Sequence, residues 1–241
     1  MRNVFERELK GLNDAVLAQA ERAEALLRDT RLALLALDGG GEVTSGTTPQ
    51  DTLQRIAGSV EAIYRDERAI EKTALALLLL QQPVASDLAL VSIALKTVTD
   101  WSRIGVQVGD MAELLVKSAS SMTHEERVAL TGMMQAVDAM LLEALRVMND
   151  TSRDRSSRES TVFALDDQVD EAFRDIRDHT VMEHCETTGS LTVAEGKIRA
   201  AALDVLLIAK YLERMGDHAC RVVSWIEFSR SGFEEARREA L

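Results

Sequence analysis

Several residue types are scarce in this chain, and each scarcity narrows the possible functions. Of its 241 residues, two are cysteine, two are proline and 4% are aromatic. Cys185 and Cys220 form no CxxC or other spaced pattern, which is typical of a reduced, cytoplasmic protein with ordinary core thiols. The most apolar run, ALALLLL at 74–80, is far too short to span a membrane, and residues 1–15 carry acids that a signal peptide lacks.

Basic residues are also fewer than acidic ones, so the net charge is -12 and the isoelectric point is about 4.9. An acidic surface repels phosphate backbones, so no direct binding to nucleic acid is expected. What the chain does contain is 46% hydrophobic residues with much Ala, Leu, Glu and Arg, the composition of long helices.

Apolar residues recur at helical spacing nearly throughout, and the breaks between them predict six helices. Glycines at 39–41 end the first helix, Pro49 lies in the first turn of the second, and Pro83 ends it. Thr123 and Glu126 have the spacing of a capping box. The predicted helices end near Leu37, Leu80, the KSASS segment, Asn149 and Glu186, and the sixth carries ALDVLLIAKYLERMGDHACRVVSWIEF.

Two segments about a hundred residues apart resemble each other: DWSRIGVQV at 100–108 and YLERMGDHA at 211–219. Their alignment pairs Gly105 with Gly216 at an offset of 111 residues (216 minus 105). We therefore expect an all-α fold of two tandem antiparallel three-helix bundles, formed by internal duplication and covering residues 1–120 and 121–241.

Two pairs of carboxylates in the second half have i, i+4 spacing: Asp166 with Asp170, and Glu213 with Asp217. Residues at this spacing lie one above the other on a helix face, so pairs on adjacent helices can form an oxygen-rich cluster. Such a cluster suits hard or borderline cations, namely Fe, Mn, Mg or Zn. The alternative is a solvated acidic face that binds no metal. His218 could be a fifth ligand or an exposed neighbour; because it is turned about 100° from Asp217, it is expected to be exposed.

The stretches LLLLQQPVASDLALVSIALKTVTDWSRIG, DDQVDEAF and LIAKYLERMGDHA resemble the PhoU family of bacterial regulators of phosphate transport and signalling, and the resemblance covers essentially the whole chain. It implies two tandem three-helix bundles with Glu/Asp-xxx-Asp metal motifs on two helices of each bundle. In the second half these motifs map onto Asp166, Asp170, Glu213 and Asp217.

The first half departs from that pattern. Counted back from the QQPVA stretch, its equivalent positions are Val60, Tyr64, Ser102 and Val106. None of these is a good ligand for a hard metal, so no metal is expected there. A register shifted by seven residues would instead place Glu67 and Glu71 on the second helix, and Asp100 and Asp110 also lie nearby. Trp101 and Trp225 are expected to pack in the core or between the bundles.

The resemblance implies a non-enzymatic regulator that couples a phosphate ABC transporter to a membrane sensor histidine kinase. Such a protein would be cytoplasmic and held at the inner face of the membrane by its partners, with a second copy of itself as a further candidate partner in a homodimer. One alternative is a structural helical adaptor without metal, and another is a paralogue with a different partner. A di-metal oxidase is disfavoured, because no Glu stands three residues before any of the four histidines.

Overall fold

The computed structural model describes residues 2–37, 48–81, 83, 86–149, 155–184 and 193–239. Within these ranges the chain is all-helical, which confirms the predicted fold class. The helices are α1 (Arg2–Leu37), α2 (Pro49–Ala57), α3 (Val60–Gln81), α4 (Ser86–Ser118), α5 (His124–Asn149), α6 (Arg155–His184) and α7 (Val193–Glu239), with a 3-10 turn at Ala119–Ser121. The glycines at 39–41 and Cys185 lie outside the described residues.

Local chemistry accounts for the helix starts. Thr48 caps α2: its hydroxyl accepts the Asp51 N–H at 3.1 Å, the Asp51 carboxylate accepts the Thr48 N–H, and Pro49 fills the first turn. The predicted capping box before α5 is confirmed, since the Glu126 carboxylate accepts the Thr123 N–H at 2.7 Å and the Thr123 hydroxyl accepts the Glu126 N–H at 3.1 Å.

The second predicted helix is two helices, so the expectation of one continuous element to Leu80 is wrong. The N–H and the hydroxyl of Ser59 both donate to the Ile56 carbonyl, at 2.9 and 2.7 Å. These bonds close α2 with a tight last turn, and α3 begins at Val60. Pro83 separates α3 from α4 as predicted.

Helices α1 to α4 pack together in the first half, and α5 to α7 pack together in the second. The halves meet along an extensive seam in which α4 packs on α7 and α1 packs on α5. The predicted boundary between residues 120 and 121 falls within the 3-10 turn; whether each half is a separate domain stays a prediction.

Among the described helices, α5 alone is long and apolar enough to span a membrane, but half of its apolar stretch is buried. Core helices of bundles pass the same test.

Both tryptophans pack as predicted. The buried Trp101 donates its indole N–H to Met148 Sδ across the seam, at 3.2 Å. The Lys96 ammonium lies 4.6 Å from the ring centroid of Trp225, which also joins α4 to α7.

The expectation that His218 is exposed is wrong. Its ring is buried in the seam, and Nδ1 lies 2.7 Å from Oδ1 of the buried Asp100. Arg221 Nε donates to the same Asp100 oxygen at 3.1 Å. The 100° turn from Asp217 is real, but it directs His218 at α4 of the first half rather than at water. Asp100 is thereby engaged in holding the two halves together.

Candidate metal face

The acidic residues of α6 and α7 meet at Gly216. A Cβ atom at this position would lie 2.9 Å from Asp166 Oδ1 and 3.5 Å from the Met140 thioether. Only glycine therefore lets the Asp166 carboxyl lie directly against the backbone of α7. Glycine is unfavourable inside a helix, and the close approach of Asp166 to α7 explains its presence at position 216.

The pKa of Asp166 on this face is raised from its ordinary value. Partial burial is the main cause that raises its pKa, and the carboxylates of Asp170, Asp217 and Asp167 raise it further. A hydrogen bond from the Cys220 thiol acts in the opposite direction. Asp170 and Asp217 are therefore each close enough to Asp166 to act on its charge.

Cys220 belongs to this face, although sequence reasoning treated it as an ordinary core thiol. Burial raises the pKa of the thiol to about 12, and the charge of Asp166 and the hydrogen bond to it contribute further. The thiol therefore stays protonated at neutral pH and donates to the carboxylate. Its position one helical turn after Asp217 is the sequence signal that could have placed it here.

Glu213 is arranged differently from the other three predicted residues. Lys210 donates to its carboxylate at 2.6 Å, and only 17% of the Glu213 side chain is exposed. The same ammonium lies 5.2 Å from the ring centroid of Phe173 on α6. Lys210 thus already supplies Glu213 with a positive charge, and a metal ion would have to compete with it.

The donor chemistry of the face fits a hard cation, since Asp170 and Asp217 place carboxylate oxygens near the carboxyl of Asp166. The side chains are not drawn into a closed cage. Within the part of the chain that the structure describes, no three His, Cys, Asp or Glu side chains are grouped tightly enough to hold a metal ion. The face is therefore rich in oxygen ligands but not preformed.

The structure corrects the register of the first half. A Cβ atom at Gly105 would lie 3.0 Å from Ile63 Cδ1, whereas the equivalent contact of Gly216 is with Asp166. Ile63 therefore takes the place of Asp166, at an offset of 103 residues (166 minus 63). The counted positions, Val60 and Tyr64, are wrong by three residues, because a count along the chain does not detect which side chains face the glycine.

In the corrected register Glu67 corresponds to Asp170, and Ser102 corresponds to Glu213. The Ser102 hydroxyl donates to Glu67 Oε2 at 2.7 Å, so this carboxylate already has a partner. Beside it, Asp66 is paired with Arg22 of α1. The first half thus replaces repelling acids with an isoleucine, a serine–glutamate hydrogen bond and an ion pair.

The fold and this face define a duplicated helical-bundle protein whose halves differ in one polar surface. The PhoU domain model matches residues 130–226, which include α6 and all four predicted ligands. Among solved structures, PhoU from Pseudomonas aeruginosa superposes with a TM-score of 0.76 at 23% identity, covering 95% of this chain and 99% of that one. The regulatory protein PhoU from Streptococcus pneumoniae gives 0.72 at 20% identity, covering 95% and 97%.

Curated relatives extend this likeness to the sequence. The PhoU homologue of Deinococcus radiodurans is 30% identical over 183 residues, which are 73% of this chain and 81% of that protein. The homologue of Synechocystis is 28% identical over 97% of this chain and 94% of its own length. Both are named as accessory proteins of the phosphate-specific transport system. The chain belongs to the PhoU family.

Proposed function

We propose that the protein is a non-enzymatic accessory regulator of a phosphate-specific transport system. The observation that carries the proposal is the similarity along nearly the whole chain to relatives that bear this name. The geometry agrees with a binding role, because the carboxylates of α6 and α7 lie on helix faces and the Asp100–His218 contact lies in the seam between the halves. In this role the protein works at the inner face of the membrane, where it couples a phosphate ABC transporter to a sensor histidine kinase.

Genetics in the source organism tests the proposal. Deletion of the gene is expected to switch on a phosphate-starvation reporter in phosphate-rich medium, and the wild-type copy is expected to restore repression. A reporter that stays repressed in the deletion strain would contradict the regulatory role. Deletion of the kinase gene in the same strain is expected to silence the reporter again; a reporter that stays on would remove the kinase from the proposal.

The acid face is proposed to bind a divalent or trivalent cation such as Fe, Zn, Mn or Mg, which would neutralise the repelling carboxylates. Asp166, Asp170 and Asp217 supply the oxygen ligands, and Glu213 belongs to the set in competition with Lys210. Elemental analysis of desalted protein that had been saturated with each metal is the direct measurement. Stoichiometric metal in the wild type that is lost from Glu213→Ala/Asp217→Ala would support the site, and no retained metal in either would contradict it.

The second candidate is an adaptor whose acids bind no metal. It is favoured by the Lys210–Glu213 ion pair and by the open arrangement of the described ligands. In an adaptor, Glu213→Ala/Asp217→Ala would repress the reporter as well as the wild type does. In the metal-dependent regulator, the same variant would lose repression while it remains folded.

A further inference from the structure

Each half carries a pocket near one end of its bundle, and the two pockets occupy equivalent positions. The second-half pocket has a volume of about 240 Å³ and is lined by α5, α6 and α7; the first-half pocket has about 470 Å³ and is lined by α1 and α3. The offset of 103 residues that relates Ile63 to Asp166 also relates their linings. It pairs Lys72, Thr73, Ala76 and Leu77 with Asp175, Ile176, His179 and Thr180.

The charges that line the two pockets differ: Lys72 and Glu8 oppose each other in the first, whereas three carboxylates line the second. The first-half pocket has Lys72 where the second has Asp175. In the second half, Glu125 and Glu126 of α5 add two further carboxylates. These two acids offset the positive end of the α5 dipole, and Glu126 also closes the capping box. Asp175 of α6 is an exposed acid on the opposite wall.

The walls beneath these acids are apolar. Val205 and Ile176 are buried, Ala129 adds a methyl group, and the hydroxyl of the neighbouring Thr180 is taken up by the Ile176 carbonyl at 2.7 Å. A pocket with apolar walls and an acidic mouth matches a side chain with an aliphatic stem and a cationic head, which describes lysine and arginine. The volume suits one such side chain and is below the 300–1,000 Å³ that small-molecule sites typically occupy.

Apolar side chains continue from the pocket along the outside of the bundle. Val128 of α5, Val181 and Met182 of α6, and Leu203 of α7 are all between 48% and 74% exposed and lie within about one turn of lining residues on the same helices. Such a surface gives a partner helix apolar contacts on either side of its anchoring side chain.

We propose that the second-half pocket is the anchor site for a lysine or arginine side chain of a helical segment in the partner transport system. The inference rests on the proposed function and adds the surface and the chemistry of recognition. The electrostatic complement is a basic partner segment, which the net charge of -12 also attracts at long range. In the first-half pocket Lys72 stands with Glu8, so its lining has no excess of acid to attract the same cation.

Co-sedimentation with inverted membrane vesicles that contain the phosphate transporter tests the inference. Asp175→Lys reverses the charge at the mouth, and Ala129→Trp fills the pocket from an exposed position. Each is expected to weaken binding at least about tenfold, the loss expected when a central anchor is removed. The matched controls are Asp14→Lys and Ala18→Trp, both at exposed positions of α1, and they are expected to bind like the wild type.

Three other outcomes of these measurements would contradict the inference in different ways. If the wild type and all variants bind equally, the pocket assignment is wrong and the proposed function survives. If the wild type does not bind transporter vesicles beyond the level of transporter-free vesicles, both fail. If the wild type forms a dimer in analytical ultracentrifugation that Asp175→Lys abolishes, the occupant is a second copy of the chain, and the assignment to the transporter is overturned.

Discussion

The two halves place different chemistry at one equivalent point. In the first half, α4 approaches α3 with Gly105 against the apolar Ile63; in the second, α7 approaches α6 with Gly216 against the carboxyl of Asp166. The glycine and the helix packing are common to both halves, and the facing side chain is not. The glycine therefore serves helix packing in general, while the nature of the surface is decided by the residue that faces it.

Exchange of the facing residues is expected to give the largest effect. Ile63→Asp buries a carboxyl at a site that is 5% exposed and removes core packing, so we expect the free energy of unfolding to fall by about 4 kcal/mol. The mirror change, Asp166→Ile, removes a repelled acid at a half-buried site and is expected to raise it by up to about 1 kcal/mol. Urea denaturation measures both, and equal losses would mean that the two sites are physically alike.

The seam between the halves gives the next effect. Asp100→Ala leaves His218 and Arg221 without their acceptor in a buried contact, which is expected to cost about 2 kcal/mol. The control on the same helix is Glu113→Ala, because Glu113 and Lys117 are both about 60% exposed and their pair is expected to contribute little. Thermal unfolding compares the variants; an unaffected Asp100→Ala would show that the halves are held by apolar contacts alone.

Each half contains a helix that begins with a capping box, and removal of either cap is expected to have a smaller effect on stability. Thr123→Ala removes the cap of α5 and frees the buried Glu126, so a loss of about 1 kcal/mol is expected. Thr48→Ala, which removes the cap of α2 in the first half, is expected to cost less, because Thr48 and Asp51 are exposed. Chemical denaturation of both variants checks the order, and a larger loss at Thr48 would contradict it.

The smallest expected effect depends on pH. Because burial raises the pKa of Asp166 above its ordinary 3.8, the folded protein binds this proton more tightly than the unfolded chain. The stability associated with the protonated carboxyl is fully present below pH 3.8 and is lost as pH rises through the folded pKa. Asp166→Asn is therefore expected to stabilise the protein at pH 7 relative to the wild type, and less so at pH 3. A stability difference that does not change with pH would contradict the raised pKa.

Sequence reasoning reached most of the fold, because helix periodicity, Pro83 and the Thr123 capping box are local signals. The helix break at Ser59 was not predicted. It depends on a side-chain hydrogen bond, from the Ser59 hydroxyl to the Ile56 carbonyl, and the apolar pattern does not reveal such a bond. Sequence reasoning also misplaced the register of α3 by three residues, since a shift of nearly one helical turn preserves the apolar pattern.

For the candidate site, the sequence predicted which residues share a face of one helix, but not which residues meet between helices. Spacing placed Asp166 with Asp170 and Glu213 with Asp217, because those relations are local. The burial of His218 against Asp100 and the position of Cys220 beside Asp166 depend on how α7 meets α4 and α6, and no periodicity in one helix encodes these contacts. The replacement of Lys72 in one end pocket by Asp175 in the other likewise emerged only from the corrected register.

The most direct test of the difference between the halves is a crystal structure of the protein soaked in Mn²⁺, with anomalous scattering recorded at the manganese edge. An anomalous peak is expected beside Asp166 and Asp217 and none beside Ile63 and Ser102. Peaks in both halves would contradict the divergence of the two surfaces, and the absence of a peak at the second-half face would contradict its proposed role in cation binding.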